Sequence, residues 1–187
     1  MRTFKVIEKS NLRLKPFNHH DAEVHLSRWM LDDAYSHMWR NLTAFMDLGA
    51  ILNFPAVTNN HAMFIEDLSH KIVGIAIGYG HNFRNQSMYI GTMIDKDFWG
   101  MEYGRNSQAL WTSYVIEKFG LRKVMVEVVD KFMIKGFEEV GYKLVSHRKE
   151  HCRIGSKWFD EYELECFSDE YKVIYKAPFV EGIKKVG

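Results

Sequence analysis

Three strand-forming runs follow one another closely in the middle of the chain, and no other feature narrows its fold as much. Ala62 to Glu66, Ile72 to Tyr79 and Met88 to Ile94 are separated only by a turn at Leu68-Ser69-His70-Lys71 and a loop from His81 to Ser87. Connections this short leave no room for a crossover, so the runs are expected to form an antiparallel meander. The pattern then changes to helix, strand, helix, strand, strand. Within residues 103–119, Trp111, Tyr114, Val115 and Phe119 share one face, and Gly120 stops the helix. Val124, Val126 and Val128 alternate in the next strand, and Met133, Phe137 and Val140 mark a helix ended by Gly141. Tyr142 to His151 and Trp158 to Phe167 make a hairpin. Ahead of the meander, Leu12, Leu14 and Pro16-Phe17 read as a short strand. Asn18 caps a helix carrying Ala22, Leu26, Trp29 and Met30, and a second short helix covers Asp32 to Trp39. The stretch from Arg40 to Asn60 carries breakers and little periodicity. The layout is α+β, with helices packed on one mixed sheet. Residues 1–167 form a single domain, and residues 168–187 an extension with an extra strand, Tyr171 to Tyr175, and a polar tail.

A chain of 187 residues can bury a core without disulfides or a structural metal. Its formal net charge of +1 gives no broad positive field, which argues against nucleic-acid binding. Lys172, Lys176 and Lys184-Lys185 in the tail read as a solvated surface, with nucleic-acid contact a minor alternative. Aromatic residues, at 14%, must fill a core, a cleft or an interface. A hairpin turn at Gly155-Ser156 puts Cys152 opposite Phe159 and Cys166 opposite Val145, so no disulfide is expected and a reducing compartment fits. The amino terminus lacks a signal-peptide core, and the longest apolar stretch, Ile72 to Tyr79, is too short to span a bilayer. The expected location is the cytoplasm, with no membrane partner. Nine histidines raise the question of a metal. His147 and His151 fall on one strand face with Cys152 on the other, but ligands four apart on a strand span about 13 Å, so no metal site is expected.

Chemistry concentrates in Ile94-Asp95-Lys96-Asp97-Phe98-Trp99-Gly100-Met101-Glu102-Tyr103-Gly104-Arg105-Asn106, a strand end, a glycine-containing loop and a helix start. Main-chain amides at such a junction can point at an anion, and the helix dipole adds partial positive charge. Strand–glycine–helix junctions are common as plain structure, so the order of elements carries more weight. That order resembles the GCN5-related N-acetyltransferase superfamily, in the branch similar to ribosomal-protein and polyamine N-acetyltransferases. Leu12-Arg13-Leu14-Lys15-Pro16-Phe17 with Asp21-Ala22 looks like that branch's opening strand and helix, and Lys71-Ile72-Val73-Gly74 like its third strand. Ile90-Gly91 to Asp95 with Phe98-Trp99-Gly100-Met101-Glu102-Tyr103-Gly104 is similar to its acyl-CoA motif. Phe137-Glu138-Glu139-Val140-Gly141-Tyr142 resembles its last helix and turn.

The resemblance implies a mostly antiparallel central sheet with helices on both faces, splayed into a V between the family's fourth and fifth strands, here Met88 to Ile94 and Lys123 to Val129. It implies transfer of an acyl group, usually acetyl, from acetyl-CoA to a primary amine of a small molecule or protein. Thr92, Met93 and Ile94 would hydrogen-bond the pantetheine arm as an added strand. Amides from Trp99, Gly100, Met101, Glu102, Tyr103, Gly104 and Arg105 would surround the pyrophosphate, with Arg105 as its charge partner, and Asp130 and Phe137 would flank the arm. The acceptor cleft would lie between Asp21 to Trp39 and the loop Arg153 to Lys157, where Asp32-Asp33 and Asp160-Glu161 could attract a cation.

Five positions depart from the family pattern. Glu102 stands where the loop carries a glycine; pointing outward it costs little, pointing inward it opposes a phosphate. Asp130 and Met133 replace an asparagine and a serine, Phe137 replaces the tyrosine that protonates the leaving thiolate, and Tyr89 replaces a glutamate. Tyr89 and Asp130 are the candidate catalytic groups; the plainer readings are a strand aromatic and a helix cap. Alternatives are a catalytically degenerate relative acting as a binding or interaction module, and an enzyme for a bulkier acyl-CoA. The sequence leaves the acceptor and the oligomeric state open, with a homodimer through the last strands or tail as one option.

Overall fold

The computed structural model describes residues 5–7, 11–30, 32, 35, 59–171 and 173–175. The helix expected over 32–39 and most of 40–60 and 176–187 lie outside these residues, apart from Asp32, Tyr35, Asn59 and Asn60. Among the described residues, nine strands and three helices occur in the order β1 (Lys5–Ile7), β2 (Leu12–Pro16), α1 (His19–Met30), β3 (His61–Asp67), β4 (Ile72–Asn82), β5 (Ser87–Ile94), α2 (Tyr103–Phe119), β6 (Lys123–Val128), α3 (Phe132–Glu139), β7 (Lys143–Ile154), β8 (Lys157–Phe167) and β9 (Val173–Tyr175). A short 3-10 turn, Lys96–Phe98, links β5 to α2.

The main sheet runs β2-β3-β4-β5-β6-β8-β7, and β5–β6 is its one parallel pair. Period-two burial explains the layering. Met88, Ile90 and Ile94 of β5, Val124, Val126 and Val128 of β6, and Leu164 of β8 meet Leu110, Trp111 and Val115 of α2 and Ile134 and Phe137 of α3. On the other face Ile75 and Met93 meet Ala22, Leu26 and Trp29 of α1, all fully buried. Asn18 begins α1 as expected, its side-chain oxygen accepting from the Asp21 amide at 2.9 Å. Gly120, at φ 62°, ends α2.

The splay between β5 and β6 is present. The two strands pair only where Ser87, Met88 and Tyr89 face Lys123, Val124 and Met125. Beyond Tyr89, β5 stays paired with β4 out to Ile94, while Val126 to Val128 stay paired with β8. Among the described residues no ladder closes the wedge between them. The resulting architecture is the α+β, mostly antiparallel sheet with helices on both faces that the resemblance implies.

The hairpin register differs from expectation. Cys152 faces Phe159, but the ladder slips between Arg148 and Cys152 and again between Leu144 and Ser146. Leu144 therefore faces Leu164, and Val145 stands outside the ladder rather than opposite Cys166. The first slip also breaks the alternation that put His147 and His151 on one face. His147 bonds Asp160 and stacks on Tyr162, whereas His151 lies 3.9 Å from the carboxylate of Glu161, on the opposite side of the strand. One strand went unread: Lys5–Ile7, which pairs in parallel with Val173–Tyr175.

Candidate active site

The loop leaving β5 is built around Asp95, a buried carboxylate. It accepts from the indole N–H of Trp29 at 3.0 Å, the hydroxyl of Tyr35 at 3.0 Å, its own loop's Asp97 amide at 3.2 Å and the guanidinium of Arg28. Trp99 donates its indole N–H to the Ile94 carbonyl at 2.8 Å. These bonds fix the loop against α1 before the chain turns into α2.

The turn itself needs left-handed backbone at Gly100 (φ 81°) and at Glu102 (φ 59°). The second value lies where glycine is favoured, in line with the glycine that the resemblance leads one to expect at Glu102. Glu102 is exposed and makes no capping hydrogen bond, so its carboxylate does not plug the helix mouth. The first turn of α2 has no acidic residue and no side-chain cap, and among the described residues no neighbouring group lies within 4 Å of where a Cβ on Gly104 would stand. The mouth of α2 thus offers uncapped amides beside open space, a setting that suits a phosphate. Arg105 reaches Glu139 of α3 at 3.3 Å, both side chains about half exposed. Met101 and Trp99 are part-exposed beside this mouth, and Tyr103 stacks on Phe98.

Inside the wedge, Thr92 donates its hydroxyl to the Gln108 side-chain oxygen at 3.0 Å, while Met93 and Ile94 pack into opposite cores. Phe137 is buried and meets Tyr142 edge-on at 5.2 Å. The Tyr142 hydroxyl lies 2.8 Å from that of Thr112, and burial pushes this phenol far above its ordinary range, so it holds its proton. Asp130 is exposed and accepts from the Phe132 amide at 2.9 Å, tying off the turn before α3.

On the α1 side of the sheet the structure gathers a cluster that sequence reading mostly missed. Tyr89 donates to Glu163 at 2.8 Å, and Tyr79, stacked on Tyr89 with ring centroids 5.5 Å apart, donates to Glu127 at 2.7 Å. Arg148 contacts Glu161 at 2.5 Å, Glu163, and Glu127 at 3.8 Å. The Cys152 thiol donates to Glu161 at 2.8 Å. Burial, and then the neighbouring Glu163 carboxylate, raise the Tyr89 phenol above its usual range. The missed signal was the run Glu161-Tyr162-Glu163-Leu164-Glu165, which sends alternate carboxylates to one sheet face. Of the acids expected to draw in a cation, Glu161 belongs to this cluster. Asp160 bonds His147 and the Glu150 amide, and Asp32 pairs with Lys96. Among the described residues no group of three or more His, Cys, Asp or Glu is arranged to hold a metal, and no helix is long and apolar enough to cross a membrane.

A meander that opens into a wedge at a parallel pair, with an uncapped helix start at its mouth, is the fold of the GCN5-related N-acetyltransferases. The spermidine N-acetyltransferase SpeG from Vibrio cholerae, solved in complex with CoA and spermine, superposes with a TM-score of 0.78 at 15% identity, covering 87% of this chain and 99% of that one. A chimera of that enzyme with hSSAT gives 0.76 at 16%, over 87% and 98%. A probable acetyltransferase gives 0.71 at 14%, over 87% and 96%. At such identities the likeness establishes the fold. No family model matches the sequence, and no curated protein matches it significantly.

Proposed function

We propose that this protein is an acetyl-CoA-dependent N-acetyltransferase that acts on a primary amine. The observation that carries this reading is the wedge between β5 and β6, which leads to the uncapped first turn of α2. Alternate main-chain groups of Thr92, Met93 and Ile94 would pair with the amides of the pantetheine arm. The amides from Gly100 to Arg105 would receive the pyrophosphate, and the space beside Gly104 fits its close approach. Arg105 would exchange its exposed partner Glu139 for phosphate. The arm would bring the thioester to the narrow end of the wedge at Tyr89. From the α1 side the acceptor amine would then meet it, which makes positioning the main source of rate. The largely buried carboxylate cluster around Arg148 favours an amine that arrives as a cation, and the likeness to a protein solved with spermine agrees with this. Both cysteines are thiols, which fits the cytoplasm.

One feature favours the second reading, a binding module without turnover: Phe137 offers a buried phenyl ring where the resemblance calls for a proton donor. Calorimetric titration with acetyl-CoA, followed by thiol release with a panel of amines, separates the two. Binding with turnover supports transfer. Binding without turnover supports the module, and no binding removes the donor site from both.

A further inference from the structure

We infer that Tyr89 and Glu163 form the path that takes the proton from the acceptor amine, so that a carboxylate on β8 does the work the resemblance would assign to an acid on β5. This rests on the acetyl-transfer reading. Tyr89 is the last residue of β5 laddered to β6, opposite Met125, so it marks the point where the wedge begins. Its side chain shares a face with Met93, which packs under α1, and thus stands on the side away from α2 and α3. Its hydroxyl donates to one oxygen of Glu163 at 2.8 Å, and the other oxygen is held by Arg148.

Every element around this pair contributes a titratable or charged group. β4 brings Tyr79, bonded to Glu127 of β6, and β8 brings Glu161 beside Glu163. β7 brings Arg148, Cys152 and His151, the last 3.9 Å from Glu161. Lys123 and Glu165 neutralise each other at 2.8 Å one step along the sheet. Glu127, Glu161 and Glu163 thus converge on the Arg148 guanidinium, and three carboxylates gathered there favour the approach of an ammonium. The ammonium N–H breaks toward the Tyr89 oxygen as the Tyr89 proton passes to Glu163. The freed nitrogen lone pair attacks the thioester carbonyl carbon, the C–N bond forms, and the C–S bond breaks with its electrons on sulfur. The second amine proton leaves through solvent to that sulfur. Tyr89 is the group that meets the amine, and Glu163 acts through it.

The test measures thiol release from acetyl-CoA by the full chain with spermidine, a lysine-containing peptide and glucosamine, across pH 6 to 10. Glu163→Gln is expected to lower kcat/KM about a hundredfold near neutral pH. The rate should recover steeply toward pH 10, where the amine loses its own proton, with acetyl-CoA affinity within twofold of wild type. Tyr89→Phe leaves the carboxylate–guanidinium cluster in place and is expected to show the same alkaline recovery, which keeps the test open if Glu163→Gln does not fold. Turnover by both variants with the wild-type rate and pH profile overturns the path and leaves the transfer reading standing. No thiol release by the wild-type chain with any amine overturns both.

Discussion

The indole N–H of Trp29, in the last turn of α1, donates across 3.0 Å to the carboxylate of Asp95, the first residue after β5. With the Tyr35 hydroxyl on the other oxygen, it joins α1, on the proposed acceptor side, to the loop before α2, on the proposed donor side.

Asp95→Asn should therefore loosen both sides at once. The Arg28 pair is screened by water, since that side chain is 56% exposed, so most of the loss comes from the buried Trp29 and Tyr35 bonds. We expect a destabilisation of about 1–3 kcal/mol in urea unfolding, together with weaker acetyl-CoA binding by calorimetry. An unchanged unfolding midpoint would show that the carboxylate is not holding these elements together.

Glu102→Gly relieves a side chain held at φ 59°. Left-handed backbone costs a non-glycine residue about 1–2 kcal/mol, partly offset by the extra freedom glycine has when unfolded. The melting temperature should rise by a few degrees, about 2–4 °C per kcal/mol for a chain of this size. Acetyl-CoA should bind more tightly at low salt, because a negative charge has left the phosphate mouth.

Gly104→Leu separates folding from binding. The site is open, and leucine suits a helix better than glycine, so stability should hold or rise by about 0.5–1 kcal/mol. Acetyl-CoA affinity should drop at least about tenfold if phosphate uses that space. Equal affinity for both chains would place the pyrophosphate elsewhere.

Phe137→Tyr restores a phenol beside the wedge. If the protein turns over, kcat should rise about tenfold or more, at a small cost in stability for the added buried hydroxyl. A silent variant would mean that the thiolate gains its proton from solvent.

His61 and His81 share a hydrogen bond of 3.0 Å, with the His61 ring stacked on Phe119 at 4.4 Å. Burial holds both imidazoles below their ordinary range, as it does for His25 near Arg28. Between those lowered values and the unfolded value near 6.5, the unfolded chain binds more protons. Their contribution is complete above about pH 6.5 and is lost as pH falls below it. The urea midpoint should decline from pH 7 toward pH 5, and His81→Gln should flatten that decline. A flat wild-type profile would refute the assignment.

Helix α2 was legible to the residue because a helical stripe ends at a glycine, and the wedge was legible through the order of elements around it. The Arg148 cluster was not, because it assembles from β6, β7 and β8 and depends on a slip in β7 that no local pattern announces. Asp95 likewise reads as an ordinary loop acid. Its partners Trp29 and Tyr35 lie more than fifty residues away in sequence, and no propensity encodes that distance. The strand near Tyr171 to Tyr175 was legible, but its parallel partner Lys5–Ile7 was not, being three residues long and at the opposite end of the sequence.

The brief contact of Ser87–Tyr89 with Lys123–Met125 makes the sheet a pair of leaves on a narrow spine. Past that spine the leaves cohere through the apolar layer they share with α2 and α3, a force that weakens on cooling while ladder hydrogen bonds do not share that weakness. The opening between the leaves is thus held to its width by a temperature-sensitive apolar layer, while an arm laid along Thr92 to Ile94 would be stitched to backbone on one side only.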